Sequence, residues 1–212
     1  MSNDTNTSGL QLRSLVTDDG HLQLFLKSAP ITEPGPDEVV VRIEATPINP
    51  SDQATLIMPA DVSTGVTTGS GEDTRYTAKL RKGIESRVQA RIGKPLAVGN
   101  EGAGTVIKAG SSDAAQALLG KIVAVLDGAL YCQYRTVNVM QCMPMNQGTT
   151  ARDAASCFVN PLTALGFVET MRMEGYKAII HTAAASNLGQ MLNRICLEDG
   201  IDLVNIVRKR AS

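Results

Sequence analysis

The stretch AIIHTAAASNLGQMLNRICLEDGIDLVNIV, residues 178–207, decides the fold class of this chain. It opens with Ala178–His181, a short apolar run typical of a buried strand, and Leu188–Leu197 has the spacing of a helix. Leu203–Val207 is a second apolar run. Because such runs suit a parallel sheet covered on both faces, the stretch predicts a strand–turn–helix–strand unit typical of nucleotide-binding half-folds.

The turn that joins the first strand to the helix carries the first candidate binding residues. Small side chains there let backbone amides approach a pyrophosphate at a helix N-terminus. Of the usual glycines only Gly189 is present, and alanines take the other places. The pattern alone therefore indicates either a dinucleotide site or a tight turn without a ligand. The candidate cofactor-binding residues of this turn are Ala184, Ser186, Asn187, Leu188 and Gly189.

The end of the second strand indicates which dinucleotide would bind. An acidic residue at this position selects NAD, whereas a basic residue accommodates the 2′-phosphate of NADP. Here Asn205–Val207 leads into Arg208, Lys209 and Arg210, with no acid. Arginine can hold a phosphate through two parallel hydrogen bonds. If a cofactor binds, the sequence therefore favours NADP(H) over NAD(H), with Arg208 and Lys209 as candidate ligands; the alternative is an ordinary basic tail.

The chain before this unit is mostly β, from Leu10 to Val137. Short candidate strands separated by Gly and Pro predict a compact, barrel-like domain. Pro59–Gly71 is rich in Gly, Ser and Thr and is predicted to be a loop. The candidate strands are Leu10–Val16, His21–Leu26, Glu38–Ala45, Gly104–Ala109, Lys121–Leu126 and Leu130–Val139.

A helical insertion is predicted at residues 72–92. Its apolar residues recur every four positions and would form one stripe on a helix: Leu80, Ile84, Val88 and Ile92. Basic residues crowd the segment from Arg75 to Arg91. They form either a solvated helix face or a basic lid near an anionic cofactor or substrate.

After Thr149 the pattern becomes helical. Thr150 can cap a helix that begins at Ala151, with Asp153 at the third position, and Pro161 opens a helix over Leu162–Met173. The change of pattern predicts two domains, residues 1–149 and residues 150–212.

Composition excludes several classes of protein. The 212 residues are 43% hydrophobic with a net charge of −1, so no global field favours nucleic acid or an acidic membrane surface. No apolar run approaches the roughly 20 residues of a membrane span, and the polar start lacks the features of a signal peptide. Four scattered cysteines and two distant histidines make a zinc site improbable. We expect a cytoplasmic protein without a metal.

Four motifs in order give a specific resemblance: Ile48–Asp52, Gly99–Gly104, Asn160–Ala164 and the alanine-rich turn through Gln190. With them the chain resembles a medium-chain dehydrogenase/reductase of the zinc-independent, quinone oxidoreductase-like branch. The resemblance implies a GroES-like β domain followed by a Rossmann domain, a doubly wound parallel sheet. It also implies hydride transfer from NADPH to a quinone or another α,β-unsaturated carbonyl, and a homodimer.

The resemblance also implies roles for individual residues. Asn49 and Thr163 would lie near the nicotinamide as the catalytic candidates, Asn160 would help to bind the cofactor, and Glu101 would be a buried structural acceptor. In zinc-containing relatives a histidine stands at the position of Asn100, so the resemblance implies no metal. The tyrosine that many quinone reductases carry shortly after the Asn49 position is absent.

Relatives of this kind continue well beyond Ser212. We therefore expect a chain truncated after the second strand of its Rossmann domain, with unpaired apolar edges, poor stability and little activity. Two alternatives to a quinone reductase remain. One is an enoyl-thioester reductase, with an anionic-tail site on the basic segment Arg75–Arg91. The other is a non-catalytic protein that binds NADPH or a partner.

Overall fold

A computed structural model describes residues 7–208 of the protein. The chain forms two compact units, of which the first ends at Ser156 and the second begins at Cys157. Among the described residues, no helix has both the length and the apolar character needed to cross a membrane.

The first unit is built on two five-stranded sheets in which all the strand pairs are antiparallel. The strand order is β4-β5-β2-β1-β6 in one sheet and β10-β8-β7-β3-β9 in the other. The strands are β1 Ser8–Val16, β2 His21–Pro30, β3 Glu38–Ala45, β4 Val66–Thr68, β5 Arg75–Lys79, β6 Leu96–Ala97, β7 Glu101–Ala109, β8 Ile122–Leu126, β9 Tyr134–Asn138 and β10 Cys142–Pro144.

Short helices connect these strands. The α-helices are α1 Pro50–Leu56, α2 Glu85–Val88, α3 Asp113–Gln116 and α4 Ala151–Ala154. Single turns of 3-10 helix lie at Val62–Thr64, Gly71–Asp73, Gln89–Arg91 and Val139–Gln141.

Alternation along the strands builds the larger core of this unit. In β3 both Val39 and Val41 are fully buried, and they pack with Val123 and Val125 of β8 and with Leu118 after α3. Inward-facing residues two apart along a strand are what a half-buried sheet requires. A smaller core lies under the other sheet, around Val16, Leu22, Ala60, Ala78 and Val88.

The second unit contains helix α5 (Val159–Met173), strand β11 (Ala178–His181), helix α6 (Asn187–Glu198) and strand β12 (Asp202–Asn205). The two strands pair in parallel. Both helices pack on the face that carries Ile179 and Leu203. The opposite face exposes Ile180 and Val204, so the expectation of a sheet covered on both faces is wrong for the described residues.

Several elements lie where the sequence predicts them. Strands β3 and β11 have the predicted bounds, and the helix predicted at Leu188–Leu197 is one residue longer at each end. The strand predicted at Leu203–Val207 begins one residue earlier and ends at Asn205. Helix α5 begins at Val159, which places Pro161 in its first turn, where the missing N–H costs nothing.

The predicted helical insertion at residues 72–92 is wrong. Its first part is strand β5, which hydrogen-bonds to β2 on one side and to β4 on the other. Gly83 then turns the chain with a φ of +80°, and after this turn only residues 85–91 of the segment are helical. Of the expected stripe, Leu80, Ile84 and Val88 still pack on the smaller core, but they do so from turns and short helices.

The boundary between the two units also differs from the predicted position after residue 149. Helix α4 contacts strands β3, β7 and β8 and lies in the first unit. The predicted Thr150 cap is present: the Oγ1 of Thr150 accepts the backbone N–H of Asp153 at 3.2 Å.

Candidate functional site

The turn from β11 into α6 is held by a serine cap. Ser186 is the N-cap residue of α6, and its Oγ accepts the backbone N–H of Gly189 at 3.1 Å. The backbone N–H of Ser186 donates to the carbonyl oxygen of Ala183 at 2.9 Å. Asn187 and Leu188 begin the helix, where backbone N–H groups have no acceptor within the helix. These N–H groups and the positive end of the helix dipole make the turn suitable for an anion.

Gly189 allows the helix to approach the turn closely. A Cβ at this position would lie 2.5 Å from the carbonyl oxygen of Ala184 and 2.7 Å from that of Ala183. No side chain fits in that space, and Gly189 is itself buried. The one glycine left in the motif therefore serves close packing of helix on turn.

A cleft of about 1020 Å³ opens beside this turn. The turn, from Thr182 to Ser186, forms one wall, and Ile206, Val207 and Arg208 form the other. The fold thus brings three of the predicted cofactor residues, Ala184, Ser186 and Arg208, to one cavity. Ile206 and Val207, predicted only as part of a strand, line it as well because β12 ends at Asn205. Lys209 lies outside the described residues.

The donor set of this cleft fits a dinucleotide phosphate. The N-terminus of α6 suits a pyrophosphate, and Arg208 offers a guanidinium for a further phosphate. Asn205 ends β12 at the position where NAD-binding proteins carry a carboxylate. An amide there neither binds the two ribose hydroxyls as an acid would nor repels a 2′-phosphate.

Asn160 and Thr163 both lie at the start of α5. Asn160 is half-buried in the first turn, and Thr163 is exposed. The Thr163 hydroxyl donates to the carbonyl oxygen of Val159 at 2.6 Å. Its donor is therefore used within the helix, and only the acceptor lone pairs of the hydroxyl are available to another group.

Asn49, in the first unit, is buried in a polar network. It precedes α1 and is 4% exposed, and its Nδ2 donates to Oε1 of Glu101 at 2.8 Å. Glu101 is 1% exposed, which confirms the prediction of a buried acceptor. The backbone N–H of Asn49 donates to Oδ2 of Asp52, whose Oδ1 accepts the backbone N–H of Asn100. The network ties the start of α1 to the glycine-rich segment.

Tyr131 lies beside this network and was not predicted from the sequence as a site residue. Its hydroxyl donates to the carbonyl oxygen of Pro47 at 2.8 Å. Burial, followed by the charge and hydrogen bonding of Asp52, raises the pKa of Tyr131 well above its usual value. The phenol is thus held neutral as a donor. Sequence offered no signal for this contact because Tyr131 and Pro47 are joined only by tertiary folding.

No group of three or more His, Cys, Asp or Glu side chains that could hold a metal is present within residues 7–208. The four cysteines, all of them among the described residues, form no disulfide. The absence of a metal from the working protein stays a prediction.

No family model matches the chain. Among curated proteins, the mitochondrial enoyl-[acyl-carrier-protein] reductase of Xenopus tropicalis is 28% identical over 192 residues, covering 88% of this chain and 46% of that protein. The quinone oxidoreductase of Coxiella burnetii has a similar structure, with a TM-score of 0.66 at 17% identity over 95% of this chain and 57% of that one. The structure of a mycobacterial protein complexed with NADPH is also similar, with a TM-score of 0.60 at 19% identity. The match covers 94% of this chain and 54% of that one.

The chain spans about half the length of the proteins it matches. These structural similarities confirm the predicted fold, a GroES-like β domain followed by part of a Rossmann domain, which the chain shares with solved quinone oxidoreductases and enoyl reductases.

Proposed function

We propose that this chain carries the NADPH-binding turn of a zinc-independent oxidoreductase that reduces a quinone or another α,β-unsaturated carbonyl. The observation that carries the proposal is the convergence of the α6 N-terminus and Arg208 on one cleft. Both features attract phosphate, and the cleft is large enough for a nucleotide. The similar mycobacterial structure is described as complexed with NADPH, which supports the same cofactor here.

Within this proposal the bound cofactor supplies the hydride, and the residues of the chain bind and orient it. The N–H groups at the start of α6 hold the pyrophosphate, and Ser186 keeps that turn in shape through its bond to Gly189. Arg208 pairs with the 2′-phosphate.

Asn49 and Thr163 are proposed to lie near the nicotinamide, with Asn160 beside Thr163 as a further cofactor contact. Asn49 is held by Glu101, so its side chain is fixed before any ligand arrives, which is the condition for accurate positioning. Thr163 can only accept a hydrogen bond while its own hydroxyl serves Val159. The proposed substrate is a small molecule, and the proposed assembly is a homodimer.

The second candidate function is reduction of an enoyl thioester. It is favoured by the 28% identity to an enoyl-[acyl-carrier-protein] reductase. The basic segment predicted to hold an anionic tail does not form a single face. Arg75 stacks over the ring of Phe25, Arg81 donates to the carbonyl oxygen of Ala60, and Arg91 donates to Ser14. A site for an anionic tail on that segment is therefore not supported.

The test separates binding from turnover. The purified chain is titrated with NADPH and with NADH, followed by nicotinamide fluorescence. We expect saturable binding of NADPH, and an Arg208→Gln variant with about tenfold weaker binding. The control is Lys177→Gln, which removes an exposed charge just before β11, at the end of the strand away from the turn.

Turnover is then measured with a quinone and with an enoyl thioester as separate substrates. Reduction of the quinone supports the first function, and reduction of the thioester alone supports the second. Binding without turnover of either identifies a non-catalytic NADPH-binding protein. If the wild-type chain binds neither nucleotide, the proposal is wrong for this polypeptide.

A further inference from the structure

We infer that Arg194 is a second ligand, together with Arg208, for the 2′-phosphate of NADPH, and that it acts from a smaller cavity beside the cleft. This inference rests on the proposed function and adds a specificity-determining residue to it. The cavity has a volume of about 390 Å³. It shares Ala184, Ala185 and Val207 with the larger cleft, so the two cavities adjoin.

The charge of this cavity points to an anion. Arg194 is exposed on α6 and has no hydrogen-bond or ion-pair partner among residues 7–208. None of the side chains that line the cavity is acidic. By contrast, Arg172 of α5 is paired with Glu169 and with Asp199. An arginine left unpaired in a cavity without carboxylates has its five N–H donors available for a ligand.

An asparagine pair completes the polar wall. The Nδ2 of Asn205, at the end of β12, donates to Oδ1 of Asn193 on α6 at 3.1 Å. This bond uses the Asn193 oxygen as the acceptor and leaves the Asn193 amide nitrogen as a donor. Because Asn205 occupies the strand end that meets the adenosine ribose in this type of fold, the cavity lies beside the 2′ position.

A phosphate monoester matches these donors better than a hydroxyl does. It carries a charge near −2 and three acceptor oxygens, so two guanidinium groups can bind it at once. Arg208 lines the larger cleft and Arg194 the smaller one, and the two cavities share three lining residues. NADH has only a hydroxyl at this position, so Arg194 should contribute to NADPH affinity and little to NADH affinity.

The experiment compares Arg194→Gln, Arg194→Lys and the control Lys177→Gln, each with a thermal melt to check folding. Dissociation constants for NADPH and NADH are measured by fluorescence titration, and those for 2′,5′-ADP and 5′-AMP by calorimetry. We expect Arg194→Gln to weaken NADPH and 2′,5′-ADP about tenfold, with NADH and 5′-AMP unchanged. Arg194→Lys should recover part of the loss, because it keeps the charge without the fork of donors.

The inference and the proposed function fail in different ways. If the wild type prefers NADPH and Arg194→Gln keeps that preference, the inference is overturned and the proposed function stands. Equal weakening of NADPH and NADH by Arg194→Gln also overturns it, since the residue would then act on the shared part of the ligand. If the wild type binds none of the four ligands, the proposed function itself is wrong.

Discussion

At Gly189 the absence of a side chain decides how close α6 lies to the turn. The Gly189→Ala variant should lose about 1–3 kcal/mol of unfolding free energy, because its methyl would meet two backbone carbonyl oxygens that cannot move independently. The same shift of the turn should weaken NADPH binding. Urea denaturation and the fluorescence titration measure the two effects.

The matched control for this substitution is Gly166→Ala. Gly166 lies inside α5, and apart from its chain neighbours and the backbone of its own helix a Cβ there would have no heavy atom within 4 Å. Alanine favours a helix over glycine by about 0.5–1 kcal/mol, so this variant should be slightly more stable. If the two variants change the unfolding free energy equally, the close approach of Gly189 to the carbonyl oxygens of the turn does not determine stability.

Asn49 gives a second prediction at the scale of one residue. Asn49→Ala removes the amide that donates to the buried Glu101 carboxylate, and it should cost about 1–3 kcal/mol of unfolding free energy. Asn49→Asp should cost more at neutral pH, because it replaces a donor by a second carboxylate facing the first. Chemical denaturation at pH 7 measures both variants.

Asn100→Ala is the control for the buried amide. The Asn100 side chain donates to Oγ of Ser51 at 2.9 Å, in a bond that solvent reaches. Its loss should change the unfolding free energy by less than about 0.5 kcal/mol. If Asn49→Ala is as mild as Asn100→Ala, the buried network does not stabilise the first unit, and a purely catalytic role for Asn49 gains support.

At the scale of elements, the sequence predicts those helices and strands that a local pattern specifies, but not those that depend on long-range pairing. Strand β3 was predicted because its valines stand in an apolar run between turn signals, and α6 because its apolar residues follow the helical period. Strand β5 was not predicted, because the four-residue spacing of Leu80, Ile84 and Val88 is also the spacing of an apolar stripe on a helix. What makes β5 a strand is its pairing with β2 and β4, which no local window contains.

The residues of the candidate site likewise fall into two groups, those that local spacing predicts and those that only tertiary packing brings to the site. The turn before α6 and Arg208 were found because strand–turn–helix motifs have fixed spacing in sequence. Arg194 was not found, because which face of α6 borders the cavity depends on how the helix packs through Leu192 and Cys196. Tyr131 was missed because its hydrogen bond to Pro47 links distant parts of the chain.

The start of α4 yields a prediction about pH. The Asp153 carboxylate accepts hydrogen bonds from the hydroxyl and the backbone N–H of Thr150, the cap residue of α4. These bonds lower the pKa of Asp153. A carboxyl with a depressed pKa in the folded state adds stability above its ordinary, unfolded-state pKa of about 3.8. It loses that stability as the pH falls through the folded-state pKa. Asp153→Asn should therefore lower the melting temperature at neutral pH more than at pH 3.

Thermal melts of the wild type and the variant between pH 3 and pH 7 test this prediction. A difference in melting temperature that does not change with pH would contradict it. The control is Asp18→Asn, which lies in an exposed turn.

At the scale of the whole molecule, the second unit presents an uncovered apolar surface. One face of its two-stranded sheet packs on α5 and α6, whereas Ile180 is 67% exposed and Val204 53% exposed on the other face. Ile206, next in the same alternation, is 48% exposed. Contiguous apolar side chains of this kind, beside strand edges that pair with no other strand among the described residues, favour association with another molecule.

We therefore expect the purified chain to self-associate as its concentration rises, and the Ile180→Thr/Val204→Thr double variant to do so less. Threonine keeps the β-branched shape that suits a strand. It replaces the ethyl group of Ile180 and one methyl group of Val204 by a hydroxyl, so the fold should persist while the apolar surface shrinks. Sedimentation velocity over a range of concentrations measures the association. The control is Ile48→Thr, which removes an apolar side chain that is 69% exposed in the first unit. If the control reduces association as much as the double variant does, the surface responsible is not the sheet face of the second unit.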